Sequence, residues 1–365
     1  MSRQPLDIVI LGLSITSSWG NGHATTYRGL VRELAARGHR VTFLERDVPW
    51  YAGNRDLPNP PYGETSLYSS LDELKDRFGA AVRRADFVMV GSYVPEGIEV
   101  GDWVTRTAGG ATAFYDIDTP VTLARLGRGE CEYLTPELIP RYRAYLSFTG
   151  GPTLRRLERC FGSPMARPLY CSFDPDLYYP HAPEETKPRW DLGYMGTYSD
   201  DRQPVLDRLL LEPARRWSEG RFTVVGPQYP KGLQWPKNVK RKDHLPPEKH
   251  RGFYNAQRFT LNVTRADMVA AGFSPSVRLF EAAACATPIL SDSWAGLETF
   301  FALGEEILTV RNAGEVLQYL REIPEDERRA LGARARARVL AEHTAAHRAE
   351  ELEGYALRLL DRQAA

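Results

Sequence analysis

The stretch Gly272 to Phe301, GFSPSVRLFEAAACATPILSDSWAGLETFF, concentrates residue types that hold a phosphorylated ligand. Ser274 is a good helix N-cap and Pro275 suits the first helical position, which leaves the backbone N–H groups of a first turn for an anion. Arg278 adds a forked cation near the same end. One turn on, Glu281 supplies a carboxylate that can accept two hydroxyl hydrogen bonds, as a ribose offers them. Phosphate together with ribose spells a nucleotide.

Further candidates stand at other predicted strand ends. Gly193 to Arg202 reads GYMGTYSDDR: Gly196 permits close backbone approach, Thr197 can bond a phosphate oxygen, and Arg202 can neutralise phosphate charge or pair with Asp200 or Asp201. Gly226 follows the strand ending at Val225, and Asn262, Thr264 and Arg265 close the next one; each also reads as an ordinary turn. Gly20, Asn21, Gly22 and His23 follow the first strand, with Glu45 at the end of the second. Thr25 stands where G-x-G-x-x-G needs its last glycine, so a dinucleotide fingerprint is incomplete. The loop then reads either as an acceptor-side loop with His23 as its polar group, or as a turn without a task.

Asp116 and Asp118 sit two apart at a strand end, which puts two carboxylates on one face. They can hold a divalent cation, or one can act as a base on a hydroxyl. Alternatively Asp118 caps the helix opening at Thr119-Pro120. His343 and His347 lack the glutamate of H-E-x-x-H and a third ligand, so no metal site is expected.

These residues need strand ends and helix starts to position them, and the chain alternates accordingly. Strands are predicted over 7–15, 40–45, 85–90, 111–115 and 166–171, with helices over 24–37, 71–84 and 152–161. The Pro-rich stretch 49–62 reads as loop. Residues 172–189 carry four prolines without apolar periodicity, and the linker is placed at 176–189 within them. Alternation then resumes: strands over 192–195, 221–225, 259–263, 289–292 and 307–310, and helices over 203–217 and near 247–256, with the Ser-Pro-Ser helix before ILSD. The expected fold class is α/β, two Rossmann-like doubly wound domains (1–175 and 190–342) facing across a cleft. A final helix over 343–365 crosses back to the first domain. The basic run Arg328 to Arg338 reads as a solvated helix face.

At 365 residues with 42% hydrophobic side chains the chain can build two cores. Lys+Arg and Asp+Glu both number 47, so nothing in the overall balance argues for nucleic acid or a charged membrane surface as partner, and no nucleic acid is expected. The four cysteines have neither zinc spacing nor scaffold density, and no apolar run reaches the roughly 18 residues of a membrane span. A cytoplasmic protein is expected.

Two segments, GHATTYRGLVRELAARGHRVTFLERD and RLFEAAACATPILSD, resemble GT-B glycosyltransferases, most closely the CgeB-like (spore maturation protein) branch. The resemblance extends to DPDLYYP and EHTAAHRAEEL and covers nearly the whole chain. It implies a hexosyltransferase-like enzyme, retaining and metal-independent, without a cofactor, that moves sugar from a nucleotide diphosphate donor to an acceptor hydroxyl. It also implies that Glu281 binds the donor ribose, that Ser276 and the helix start meet the diphosphate, and that Arg278 and Arg202 lie beside it. His23 or Asp118 would orient or deprotonate the acceptor. The chain departs from the wider family at Phe273, where the first glutamate of a Glu-x7-Glu pair would stand, and at Ala286, usually glycine. Alternatives are a non-catalytic nucleotide-sugar binding protein and an NAD(P)-dependent oxidoreductase.

Overall fold

The computed structural model describes residues 5–20, 22–182 and 188–364. The chain divides into two compact units, one of Met1–Cys171 with Ala345–Ala365, the other of Ser172–Thr344. The boundary falls after Cys171, ahead of the predicted linker, and Pro183 to Lys187 of that linker lie outside the described residues.

The first unit runs β1 (Asp7–Gly12), α1 (His23–Ala36), β2 (Arg40–Arg46), α2 (Pro49–Ala52), β3 (Glu64–Tyr68), α3 (Leu71–Arg84), β4 (Phe87–Gly91), α4 (Gly97–Thr107), β5 (Ala111–Asp116), α5 (Thr119–Arg128), β6 (Ala144–Ser147), α6 (Pro152–Phe161) and β7 (Ala166–Pro168). Its sheet is parallel, ordered β3-β2-β1-β4-β5-β6-β7, so the chain winds outward from β1 and then returns to β4. The runs DIVILG and FVMVG lie at its centre, buried on both faces, which is why they are apolar without alternation. The last helix, α14 (Ala345–Ala364), groups with this unit: Arg37 of α1 pairs with Glu353, and Tyr355 donates to the Pro168 carbonyl at 2.9 Å.

The second unit continues with β8 (Trp190–Met195), α7 (Gln203–Leu206) running through a π-helical turn (Asp207–Leu211) into α8 (Glu212–Arg216), β9 (Phe222–Val225), β10 (Val239–Lys242), α9 (His250–Asn255), β11 (Gln257–Asn262), α10 (Ala266–Ala271), α11 (Val277–Ala284), β12 (Ile289–Ser291), β13 (Leu308–Thr309), α12 (Ala313–Glu322) and α13 (Glu325–Glu342). Its parallel sheet, β10-β9-β8-β11-β12-β13, again reverses direction beside its first strand. Each unit has its own apolar core. The basic run on α13 is not a purely solvated face. Arg328 is buried and donates to the Arg258 carbonyl at 3.0 Å, and Arg336 donates to the Ala284 carbonyl at 3.2 Å.

No helix among the described residues is long and apolar enough to cross a membrane, and all four cysteines are free thiols.

Candidate functional site

In the second unit the ends of β8, β9 and β11 bring Gly196, Gly226 and Asn262 to the start of α11. Gly226 has φ +152°, and a side-chain carbon there would lie 1.9 Å from the Gly196 carbonyl oxygen. Only glycine permits that approach. Gly196 N–H donates to the Val225 carbonyl at 2.8 Å, which fixes both loops as one surface. From below, Tyr229 donates to the Gly196 carbonyl at 3.2 Å. Arg241 in turn lies 4.2 Å from the Tyr229 ring centre and donates to the Gly226 carbonyl at 3.0 Å.

Arg278 reaches this surface from α11. Its Nε donates to the Met195 carbonyl, its Nη1 to Asn262 Oδ1 at 2.9 Å, and its guanidinium lies 5.0 Å from the Tyr194 ring centre. Nη2 takes part in neither bond and lies 3.0 Å from where a Gly196 side chain would begin. A β-carbon at Gly196 would crowd it. Asn262 is the hub: its Oδ1 also accepts from Ser276 Oγ at 2.9 Å, while its amide donates to Ser291 Oγ at 3.0 Å and Thr264 Oγ1 at 3.2 Å. Asp292, whose pKa burial raises, accepts from Thr264 N and Oγ1 at 3.0 and 2.8 Å and locks that strand end.

The helix start differs from the expectation. α11 begins after Ser276, so Ser274 is not its N-cap and Pro275 is not its first helical residue. The intervening residues are held as loop: Phe273 has φ +49°, its N–H donates to the Ala295 carbonyl at 2.6 Å, and its ring fills the space a Gly296 side chain would need. Ser274 is buried. Because the Ser276 hydroxyl goes to Asn262, it does not cap α11; the Leu279 N–H donates to the Ser276 carbonyl at 3.1 Å, and the start of the helix still directs its dipole at this surface.

Arg202 folds back on its own loop, donating to the Thr197 carbonyl at 2.6 Å and Ser199 Oγ at 2.9 Å instead of bonding Asp200 or Asp201. It braces Thr197 against the start of α7. Arg265 lies 3.9 Å from Asp201. Glu281 points into the unit: its side chain is 6% exposed, and its Oε2 accepts from Tyr254 at 2.9 Å and lies 4.0 Å from His250 Nδ1. The Tyr178 hydroxyl lies 3.4 Å from the same His250 Nδ1.

In the first unit, residues 14–20 form a loop organised by Glu45. The carboxylate is fully buried and accepts from Ser14 Oγ (3.1 Å), Ile15 N (2.7 Å), Thr16 N (3.0 Å) and Thr16 Oγ1 (2.7 Å). Four donors fill its acceptor sites, so Glu45 is not available to grip a ribose. Gly20 has φ +67° and Gly22 is the N-cap of α1; Asn21 lies outside the described residues. His23 is the first residue of α1, not a loop residue. It is 8% exposed, its ring meets Tyr93 edge-on at 5.4 Å, and its Nδ1 is buried without a partner among the described residues. Burial lowers its pKa, partly offset by the Asp118 charge, so the imidazole is neutral near pH 7.

Asp116 and Asp118 do not form a paired-carboxylate face. Asp116 ends β5 and turns into the core, accepting from Tyr145 and from Thr122 Oγ1 at 2.9 Å; burial pushes its pKa up to about 6 despite those bonds. Asp118 lies past the strand, where the alternation has ended, and accepts from Tyr93 OH at 3.1 Å. It occupies the N-cap position of α5, but its carboxylate makes no capping bond. Tyr93, which ties Asp118 to His23, has φ +63°, a left-handed conformation uncommon for a bulky residue. No motif marks it in the sequence. Among the described residues no group of three or more His, Cys, Asp or Glu side chains is placed to hold a metal.

Residues 202–354 match a protein family described as Glycosyl transferase-like. No curated protein matches the chain. Among solved structures, sucrose-phosphate synthase from Thermosynechococcus elongatus is similar with a TM-score of 0.70 at 16% identity, over 99% of this chain and 100% of that one. An alpha-glucosyltransferase in complex with UDP-glucose and DNA containing an abasic site has a TM-score of 0.74 at 11% identity, over 97% and 100%. Anabaena HepE in complex with UDP-glucose has a TM-score of 0.68 at 12% identity, over 96% and 100%. The chain therefore has the GT-B glycosyltransferase fold.

Proposed function

We propose that the protein is a glycosyltransferase of the CgeB-like branch that moves a hexosyl group from a nucleotide diphosphate sugar to an acceptor hydroxyl. The observation that carries this reading is the start of α11, with its Ser276 hydroxyl turned to Asn262, beside Arg278 Nη2 and the Gly196–Gly226 surface. Amide N–H groups and a guanidinium held by Met195 and Asn262 present positive charge at a glycine-lined surface, which suits a diphosphate. The bound nucleotides of structures sharing the fold support the same assignment.

In the reaction the bond from the anomeric carbon to the diphosphate oxygen breaks and the acceptor oxygen bonds to the same face of the sugar that the diphosphate leaves, which keeps the anomeric configuration. Negative charge grows on the diphosphate, and donors already fixed in place stabilise it without reorganisation. Arg202 contributes by holding Thr197, and Glu281, oriented by Tyr254, is assigned to the ribose. In the first unit His23, kept neutral by burial, is assigned to take the proton of the acceptor hydroxyl, with Asp118 supporting the resulting imidazolium. No metal or cofactor is assigned a role, and the reaction is taken as retaining. The filled carboxylate of Glu45 weighs against nicotinamide dinucleotide chemistry at the first loop.

Incubation of the protein with UDP-, GDP-, ADP- and dTDP-sugars, followed by detection of released nucleoside diphosphate with and without EDTA, tests this. Release insensitive to EDTA and accompanied by a glycosylated product is expected. A second reading, a nucleotide-sugar binding protein without turnover, is favoured by Phe273, whose ring packs at Gly296 where the wider family has a glutamate. Tight donor binding without any product would decide for it.

A further inference from the structure

A cavity of about 420 Å³ lies on the β9–β10 face beside α9; at Val225 and Arg241 it adjoins the strand end that carries Gly226, and none of Gly196, Gly226, Arg278 or Asn262 lines it. Arg189, Lys240, Arg241, Lys242 and Lys249 line it together with Trp190, Val225 and Phe253, and no carboxylate does. Only seven of the chain's 47 basic residues are lysines, yet five of the seven fall between positions 231 and 249. Lys240, Lys242, Lys249 and Arg189 are exposed, and none of the three lysines is ion-paired among the described residues. Arg241 is committed to the Val224 and Gly226 carbonyls and pairs with Asp243 at 3.0 Å, so the unpaired charge of the cavity rests on the three lysines and Arg189. Arg189 lies 4.9 Å from the Trp190 ring centre.

We propose that this cavity is a second binding site, for a multiply charged phosphate-bearing ligand, separate from the donor surface. The lysines are compact point charges on flexible stems, suited to a phosphate cluster without a fixed orientation. The floor of Trp190, Val225 and Phe253 receives the less polar part of such a ligand. Lysines on an edge strand also deter sheet pairing, which accounts for Lys240 and Lys242 on β10. It does not account for Lys249 or Arg189, which lie outside the strand and complete the ring of charge.

Two probes distinguish the sources of the phosphate: inorganic tripolyphosphate, and vesicles of phosphatidylglycerol compared with phosphatidylcholine alone. Each is measured on the intact protein, on a cavity triple variant (Lys240→Ala, Lys242→Ala, Lys249→Ala) and on a triple of equal charge outside the cavity (Lys75→Ala, Lys231→Ala, Lys237→Ala). Affinity for whichever probe binds should fall about tenfold in the cavity triple and less than about twofold in the other, with nucleoside diphosphate affinity unchanged in both. Tripolyphosphate binding identifies a soluble ligand, and binding to anionic vesicles alone a lipid headgroup. Failure of the parent protein to bind either probe, equal losses in the two triples, or a parallel loss of nucleotide affinity in the cavity triple would each overturn the proposal.

Discussion

Arg278→Ala separates the donor account from mere structural bracing. The side chain makes two bonds, to the Met195 carbonyl and to Asn262 Oδ1, and Asn262 Oδ1 keeps Ser276 Oγ when Arg278 is lost. Stability should therefore fall by about 1–2 kcal/mol, since one carbonyl loses its donor at a half-buried site. Nucleotide affinity should fall further. A charge-assisted contact to a phosphate contributes about 1.5–3 kcal/mol, which is roughly 10- to 150-fold in Kd. Arg278→Lys keeps the charge but not the fork that grips Met195 and Asn262, so it should recover only part of that affinity. Titration calorimetry with nucleoside diphosphates, alongside denaturant unfolding of the free protein, reads the two effects separately. A folded alanine variant that binds every nucleoside diphosphate as tightly as its parent refutes the placement of the diphosphate.

Other consequences follow from the same geometry. Gly226→Ala places a carbon against the Gly196 carbonyl and should cost about 2–4 kcal/mol in unfolding free energy together with donor binding, whereas Gly232→Ala, with open space around it, should be silent. Asp116 has its folded pKa raised to about 6, so its contribution to stability is present at low pH and is lost as pH rises from its ordinary value near 3.8 through about 6. Asp116→Asn should accordingly stabilise the protein at pH 7 by about 1–3 kcal/mol and flatten that part of the stability profile. His23 has the opposite sign: its folded pKa is lowered, so its contribution is present above about 6.5 and lost as pH falls toward the folded value. Asp118→Asn removes the charge that partly restores that pKa, and NMR titration of His23 should show it falling further. An unchanged His23 titration would disconnect the two residues.

Helix bounds carried by strong periodicity, at Leu71–Arg84 and Pro152–Phe161, were legible from the sequence and agree with the structure. Elements without an apolar run were not. β10 is an edge strand, VKRK, with one buried residue, and β3, the edge strand of the other sheet, likewise buries only Tyr68. α4 contains Gly97 and Gly101; a side chain at Gly101 would lie 2.3 Å from Tyr142 OH, so close packing sets the residue there. Ser-Pro-Ser marked the right helix two residues early, because a good cap sequence cannot reveal that Asn262, 14 residues upstream, takes the Ser276 hydroxyl. For the same reason the Asp116–Asp118 alternation failed: Tyr145 and Tyr93 draw the two carboxylates to different sides. Ala286 is the converse case. Its φ of +53° shows a left-handed backbone that would favour the glycine usual there.

The most direct measurement is a thermal-shift panel of UDP, GDP, ADP and dTDP with their sugars, and NAD(H) and Mn²⁺ as controls. At ligand concentrations near 100 times Kd, binding to the folded state alone adds about 2.7 kcal/mol. The account predicts a clear rise in Tm for one nucleoside diphosphate and its sugar, absent in Arg278→Ala, with no rise for NAD(H). No response to any nucleotide, or a response confined to NAD(H), would contradict it.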